Sequence, residues 1–229
     1  MTSRHEVGRI DESRLPGARA ARIAQLRQTV AAVPLANRKS AAEVASWTHL
    51  QGRLVELTSA TGRGQLTAAA FIVLQAQLRG EPVCWISTTR DTWFAPDLAE
   101  WGIDLAALPT LFVDDGTAAG RAADLAVRDG GFGLVVLDLT AGGYLAQARL
   151  QRLSRQARQH QAVVLCLTRQ RQEQPVCHSG VSLRLQTQSR PLSALRWQCR
   201  LEVKYDRFGV AGRSRILLCR PQEAASDAV

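Results

Sequence analysis

The chain has 229 residues, of which 46% are hydrophobic and 21% charged, so it can build the core of one domain with short appendages, and wholesale disorder is excluded. No stretch approaches the roughly 18 apolar residues of a membrane span, and the polar start (MTSRHEVGRIDESR) lacks a signal-peptide core, so membrane and secreted classes are not expected. The net charge of +9 is the more informative quantity, because it points to a polyanionic partner.

In chain order, residues 1–16 read as a polar lead-in, followed by a helix over Ala18 to Val33 with Ala20, Ile23, Leu26, Val30 and Val33 on one face. Pro34 ends it, and Leu35–Ala42 forms a linker. Residues 1–42 are therefore expected to stand apart from a core over 43–220, with a frayed tail over 221–229. From Gly52 the pattern alternates between strand and helix. Strands are expected at Arg53–Leu57, Val83–Ser87, Leu111–Val113, Phe132–Leu139 and Ala162–Thr168. Helices fall between them at Leu66–Arg79, Pro96–Trp101, Thr117–Arg128 and Ala146–His160. The nearly continuous apolar runs FGLVVLDL and AVVLCLT suit strands buried on both faces, which implies a parallel sheet between helix layers. Later segments, Val181–Gln188, Arg196–Tyr205 and Arg215–Cys219, alternate apolar and polar residues, the sign of half-buried antiparallel strands added at one edge.

Where a strand, a glycine-containing turn and a helix follow one another, nucleotide-binding folds hold phosphate. The loop needs glycines so that N–H groups can face the anion, a Lys for the outer phosphates and a hydroxyl for magnesium. The matching window here is Ser59-Ala60-Thr61-Gly62-Arg63-Gly64-Gln65-Leu66. It keeps Gly64, but Ser59 replaces the first glycine, Gln65 the lysine and Leu66 the hydroxyl residue; Thr67 comes one position late. Arg63 brings a positive charge that does not start where the lysine should. Asp138, ending the strand LVVLD, stands where a carboxylate holds magnesium through water, although such an Asp also serves to cap the next turn.

The series GRLVELTSATGRGQLT, CWISTTRDTWFAP, WGIDLAAL and GLVVLDL resembles the core of the RecA recombinase family in order and spacing. The resemblance continues in CLTRQ, where Gln170 matches a nucleotide-sensing Gln, and covers about residues 48–220. It implies a RecA-like parallel sheet core flanked by helices, with C-terminal antiparallel strands. Departures decide the activity: the position of the catalytic Glu carries Thr89, and lysine and metal hydroxyl are absent, so no efficient hydrolysis and no cofactor are expected. A RecA-like body with a broken nucleotide site is similar to the ImuA family, or to another inactive RecA paralogue. ImuA proteins are accessory factors of damage-induced mutagenesis. That resemblance implies work in translesion synthesis beside a polymerase-like partner such as ImuB, in the cytoplasm at the nucleoid.

The charge is unevenly spread. Residues 1–140 carry 14 Arg/Lys against 15 Asp/Glu, a balance of −1, and residues 141–229 carry 15 against 5, a balance of +10. Arg149, Arg152, Arg155 and Arg158 recur every third residue on one helical stripe, no acidic residue lies between Thr140 and Gln172, and Arg169 and Arg171 follow the next strand. These six arginines are the candidate DNA-binding residues, contacting backbone without sequence preference. In RecA-like proteins the segments after the magnesium-site strand and after the sensing Gln reach DNA. Two other readings stand beside this one: an adaptor whose basic face docks an acidic protein, and a weak ATPase using Arg63 and Asp138. The N-terminal helix offers a surface for self-association.

The remaining candidates read as structural. Cys84, Cys166, Cys177, Cys199 and Cys219 are odd in number and lack C-x-x-C spacing, which fits a reducing compartment. Cys177-His178 has no second ligand pair nearby, Asp114-Asp115 suits a turn at a strand end, and His160 suits a helix C-terminus. Trp85, Trp93 and Trp101 are expected to pack in the core.

Overall fold

The computed structural model describes residues 44–59, 64–90, 93, 95–169, 180–193, 196–209 and 212–219; the expected N-terminal helix, the linker and the tail lie outside the described residues. The elements are α1 (Trp47–Leu50), β1 (Leu54–Ser59), α2 (Gln65–Gln77), β2 (Val83–Ser87), α3 (Ala95–Glu100), β3 (Thr110–Phe112), α4 (Gly116–Arg128), β4 (Leu134–Asp138), α5 (Gln147–His160), β5 (Val163–Arg169), β6 (Leu183–Ser193), β7 (Arg196–Asp206) and β8 (Ser214–Cys219). The strands form one mixed sheet in the order β3-β2-β4-β5-β1-β6-β7-β8. The chain is thus an α/β protein with a mostly parallel sheet, antiparallel C-terminal strands and flanking helices.

Residue chemistry explains this layering. β1, β2 and β4 are buried at every position, and β5 at all but its last; β2, β4 and β5 are apolar on both faces except at their C-terminal ends, whereas β1 (LVELTS) also buries Glu56, Thr58 and Ser59. One face carries α1, α2 and α3. α2 (QLTAAAFIVLQAQ) is apolar on nearly all sides and is accordingly buried over Ala68–Leu74, between the sheet and α1. It ends at Gly80 (φ +75°), where the Gly80 N–H reaches the Gln77 carbonyl and the Glu81 N–H that of Ala76. The other face carries α4 and α5. Ala119, Ala123 and Val127 of α4, four residues apart, pack with Leu150, Leu153 and Ala157 of α5 against Val135, Leu137, Val164 and Cys166. Trp85 is core, and Trp93 and Trp101 pack against it, as the sequence suggests.

One expectation needs correction. β6 is not simply the first antiparallel strand: Leu183–Thr187 pairs parallel with Val55–Ser59 of β1, and only its other side pairs antiparallel with β7. The polar half of its alternation does not face water in this stretch. Arg184 Nε donates to Glu56 Oε2 at 2.6 Å, Glu56 Oε1 accepts from Thr168 Oγ1 at 3.0 Å, and Gln186 is buried. Glu56 is only 1% exposed, so one carboxylate joins β5, β1 and β6 inside the molecule. Farther out, β7 and β8 behave as expected, with Leu201, Val203 and Leu217 inward and Arg200, Lys204 and Ile216 exposed.

Removing one member of a buried ion pair leaves the other unpaired and costs about 3–5 kcal/mol, less where the partner is partly hydrated, as Arg184 is. Urea denaturation of Glu56→Ala is therefore expected to show a loss of about 3 kcal/mol. The double variant Glu56→Leu/Arg184→Leu is expected to lose less than the single one; a larger loss would remove the ion pair from this role.

Candidate functional site

In open parallel sheets ligands bind outside the carboxyl ends of the strands, where the connections leave towards opposite faces. Here that point lies between β1, which leads to α2 on one face, and β5, which α5 enters from the other. Residues Ala60, Thr61, Gly62 and Arg63 of the degenerate loop, together with Gln170 and Arg171, lie outside the described residues, as does Cys177-His178. The other loop positions are described. Ser59 is buried, and Gly64 takes a φ of +83° at the start of α2. A Cβ on Gly64 would lie 2.2 Å from Ser189 Oγ and 2.8 Å from Cys199 Sγ, and Cys199 Sγ donates to the Gly64 carbonyl at 3.4 Å.

Gln65, which the sequence aligns with a phosphate-loop lysine, is 5% exposed and turns down into the sheet. Its Nε2 donates to the carbonyls of Thr168, at 2.9 Å, and of Leu57. Both amide protons are committed to backbone oxygens of adjacent strands, so the side chain bridges β5 and β1 at the switch point. Leu66, which the sequence aligns with the loop's hydroxyl position, is 39% exposed; Thr67 is half-buried.

Asp138 sits two strand spacings from β1, with β5 between, on the same side as α2. Its carboxylate is fully buried. Oδ1 accepts from the Thr140 N–H at 3.0 Å and its hydroxyl at 2.6 Å, holding the turn that follows β4, whereas Oδ2 has no hydrogen-bond partner. Thr89 folds back locally, its N–H donating to Ser87 Oγ at 3.1 Å. Asp115 caps α4 by accepting from the Ala118 N–H at 2.7 Å, the turn role expected of that acidic pair. Among the described residues no group of three or more His, Cys, Asp or Glu side chains could hold a metal ion. Burial pushes the Cys84 thiol up to about 11; the Cys199 thiol is raised to about 11 by burial, against a lowering hydrogen bond with Ser189. Neither is a reactive thiolate at neutral pH.

The arginine stripe divides in two. Arg152 Nε lies 2.7 Å and Arg149 Nη1 3.4 Å from the carboxylate of Asp124 on α4, itself 6% exposed. Half of the stripe thus has the partner acid that local sequence lacks, and it clamps α5 to α4. Arg155 and Arg158 are exposed, with no carboxylate partner among the described residues. Arg169 is exposed at the opposite end of β5 from the end of α5, about 20 Å away along a seven-residue strand.

A second cluster escapes sequence inspection because its members lie far apart in the chain. Asp206, at the end of β7, accepts from Arg53 Nη1 at 2.8 Å and from the Phe208 N–H at 3.0 Å, both on Oδ1, and pairs with His49 Nε2 at 2.9 Å through Oδ2. The Ala45 N–H donates to His49 Nδ1, which leaves the proton on Nε2 facing Asp206. Burial by itself raises the Asp206 carboxyl, but the bonds from His49, the Phe208 N–H and Arg53, with the Arg53 charge, outweigh it and hold the group below its ordinary value. The residues that could have flagged this hub are the Asp-Arg-Phe-Gly turn at 206–209 and the basic character around it.

No helix among the described residues is long and apolar enough to cross a membrane. No protein-family model matches this chain, and no curated protein matches it.

Two measurements test this geometry. Gly80→Ala, in open space, is expected to lose about 1–2 kcal/mol from its positive φ alone. Gly64→Ala is expected to lose more, because Ser189 and Cys199 must also move; equal losses in denaturant titrations would show that the contact yields freely. For Asp206 the depressed folded pKa means stabilisation present at neutral pH and lost as pH falls through the folded value. Asp206→Asn is therefore expected to be about 1–3 kcal/mol less stable than the parent at pH 7, with the gap closing below pH ~4. A gap independent of pH in thermal melts would separate the effect from the carboxylate charge.

Proposed function

We propose that this chain is a non-hydrolysing RecA-like protein that binds DNA through its backbone and serves as an accessory factor in DNA damage tolerance. In this reading a polymerase-like partner such as ImuB assembles with it during translesion synthesis. The observation that carries the reading is Gln65: the side chain in the lysine position spends both amide protons on the sheet and brings no positive charge to a phosphate. With Leu66 next to it, charge stabilisation and metal binding both lack their usual donors. The strand order, with a central β1 flanked by β5 and β6 and antiparallel strands closing one edge, is in keeping with the resemblance to RecA recombinases.

The DNA half of the reading is supported by the balance of +10 over residues 141–229 and by the exposed Arg155, Arg158 and Arg169. Arginines without interleaved aromatics on α5 suit phosphates better than base edges, so binding is electrostatic and blind to sequence. Arg149 and Arg152, held by Asp124, contribute field more than contact.

Fluorescence anisotropy of labelled DNA over a range of salt, with and without ATP, tests the proposal. Binding is expected to weaken steeply with salt and to ignore ATP. In Arg155→Ala/Arg158→Ala/Arg169→Ala the logarithmic salt slope is expected to shrink by about 0.9 per lost phosphate contact. Affinity unchanged between low and high salt would overturn DNA binding and leave the basic face as a protein dock. Phosphate release from ATP that disappears in Asp138→Ala would overturn the non-hydrolysing half.

A further inference from the structure

Phe208 is 60% exposed at the tip of a turn, an unusual place for a large aromatic side chain. The guanidinium carbons of Arg53, Arg158 and Arg207 lie 5.1, 6.0 and 6.0 Å from its ring centroid. They come from the entry to β1, the end of α5 and the turn after β7, so the fold brings together three cations that are distant in sequence. Mutual repulsion works against such a gathering, and the nearby acid, Asp206, is already engaged by Arg53 and His49. Arg158 and Arg207 have no carboxylate partner among the described residues.

The turn is built rather than loose. The Arg207 N–H donates to the Ser182 carbonyl at 2.8 Å and the Phe208 N–H to Asp206 Oδ1 at 3.0 Å. A Cβ at Gly209 would crowd Asp206 Oδ2, which its bond with His49 holds, so glycine lets the chain close over the carboxylate without displacing it. The ring is thus held out to solvent on a fixed backbone with guanidinium groups lying over it, and a base that stacks there takes their place as they turn to the flanking phosphates. One helical turn up α5, the exposed Arg155 extends the positive surface away from Arg158.

An exposed ring among guanidinium groups is the combination that binds single-stranded nucleic acid: the ring stacks on an unpaired base and the cations take the flanking phosphates. A duplex presents its bases already stacked, so its phosphates alone would engage. We propose that Phe208, with Arg53, Arg158 and Arg207, forms a stacking platform for single-stranded nucleic acid. It lies at the end of the sheet where the parallel strands begin, opposite the degenerate phosphate loop. The proposal rests on the nucleic-acid reading above and adds to it a site, a strand preference and a stacking contact. An acidic peptide would use the cations but gain little from the ring.

The test uses the full chain with an oligothymidine of about 20 nucleotides, a duplex of equal length, and a single strand carrying one 2-aminopurine, whose fluorescence falls on stacking. Phe208→Ala is expected to weaken single-strand binding about tenfold, the worth of one base–aromatic stack, and to abolish the 2-aminopurine quenching. Phe208→Trp is expected to keep both, and duplex affinity to change by less than about twofold. If the parent chain binds DNA but Phe208→Ala binds the single strand equally well, the platform is overturned and the backbone-binding reading stands. If the parent binds neither DNA, both fail together. Poly-glutamate displacing the single strand equally from parent and Phe208→Ala would also overturn the platform, in favour of an acidic protein ligand. Thermal melts of the variants exclude misfolding as the cause: Phe208→Trp is expected to match the parent, and Phe208→Ala to fall only slightly, through the loss of its exposed contacts with the three arginines.

Discussion

The carboxylate of Glu56 is the constraint around which the sheet is organised. Placing an ionised group at the middle of a fully buried strand is costly unless every oxygen is engaged. Here Thr168 of β5 takes one oxygen and Arg184 of β6 the other, so the charge is satisfied only when the strands on both sides of β1 are in register. An apolar residue at this position would tolerate a slipped β6; a charged one does not. By fixing β6, Glu56 also fixes the antiparallel strands beyond it, and with them the turn that carries Asp206 and Phe208.

Next to this tie, Gln65 makes a neutral version of the same junction. Its amide bridges carbonyls of β1 and β5 at the point where a parallel sheet opens to receive a ligand. A lysine there would have to leave its charge in the same enclosure or turn outward; glutamine fills the space and satisfies the backbone. Gln65 thus lends cohesion to the centre of the fold. Asp138, buried at the end of β4, has one of its oxygens spent on the turn at Thr140. The exposed cations are spread over the molecule: Arg169 at the carboxyl edge, Arg155 along α5, and the Phe208 group at the far end.

Local patterning made much of this architecture legible. The apolar runs at LVVLD and VVLCLT, the all-apolar α2 and the i, i+4 spacing of Ala119, Ala123 and Val127 each announce their element and its burial. What stayed hidden depends on partners far along the chain. Arg184 looks like the exposed half of an alternating strand until Glu56, 128 positions earlier, draws it inside. Arg149 and Arg152 look unpaired because Asp124 stands on the preceding helix, outside the acid-free window. The Asp206 hub joins His49, Arg53 and Phe208 across more than 150 positions, and no spacing rule connects them. In the sequence Gln65 shows only that the loop lacks a lysine; that its amide joins β1 to β5 is visible only in the fold.

The sheet order also sets a timetable for the nascent chain. β1 is made early, yet its neighbour β6 begins at Leu183, 124 residues after Ser59. At ribosomal rates of about 5–20 residues per second, the edge formed by Val55–Ser59 waits roughly 6–25 s for its parallel partner. For most of that interval both edges of LVELTS are open, because β5 begins only at Val163, and to its end the side that awaits β6 stays open with Glu56 not yet met by Arg184. Glu56 is then a charge on an exposed edge, which discourages strand addition by a neighbouring chain. The residue that locks the finished sheet thereby guards the unfinished one.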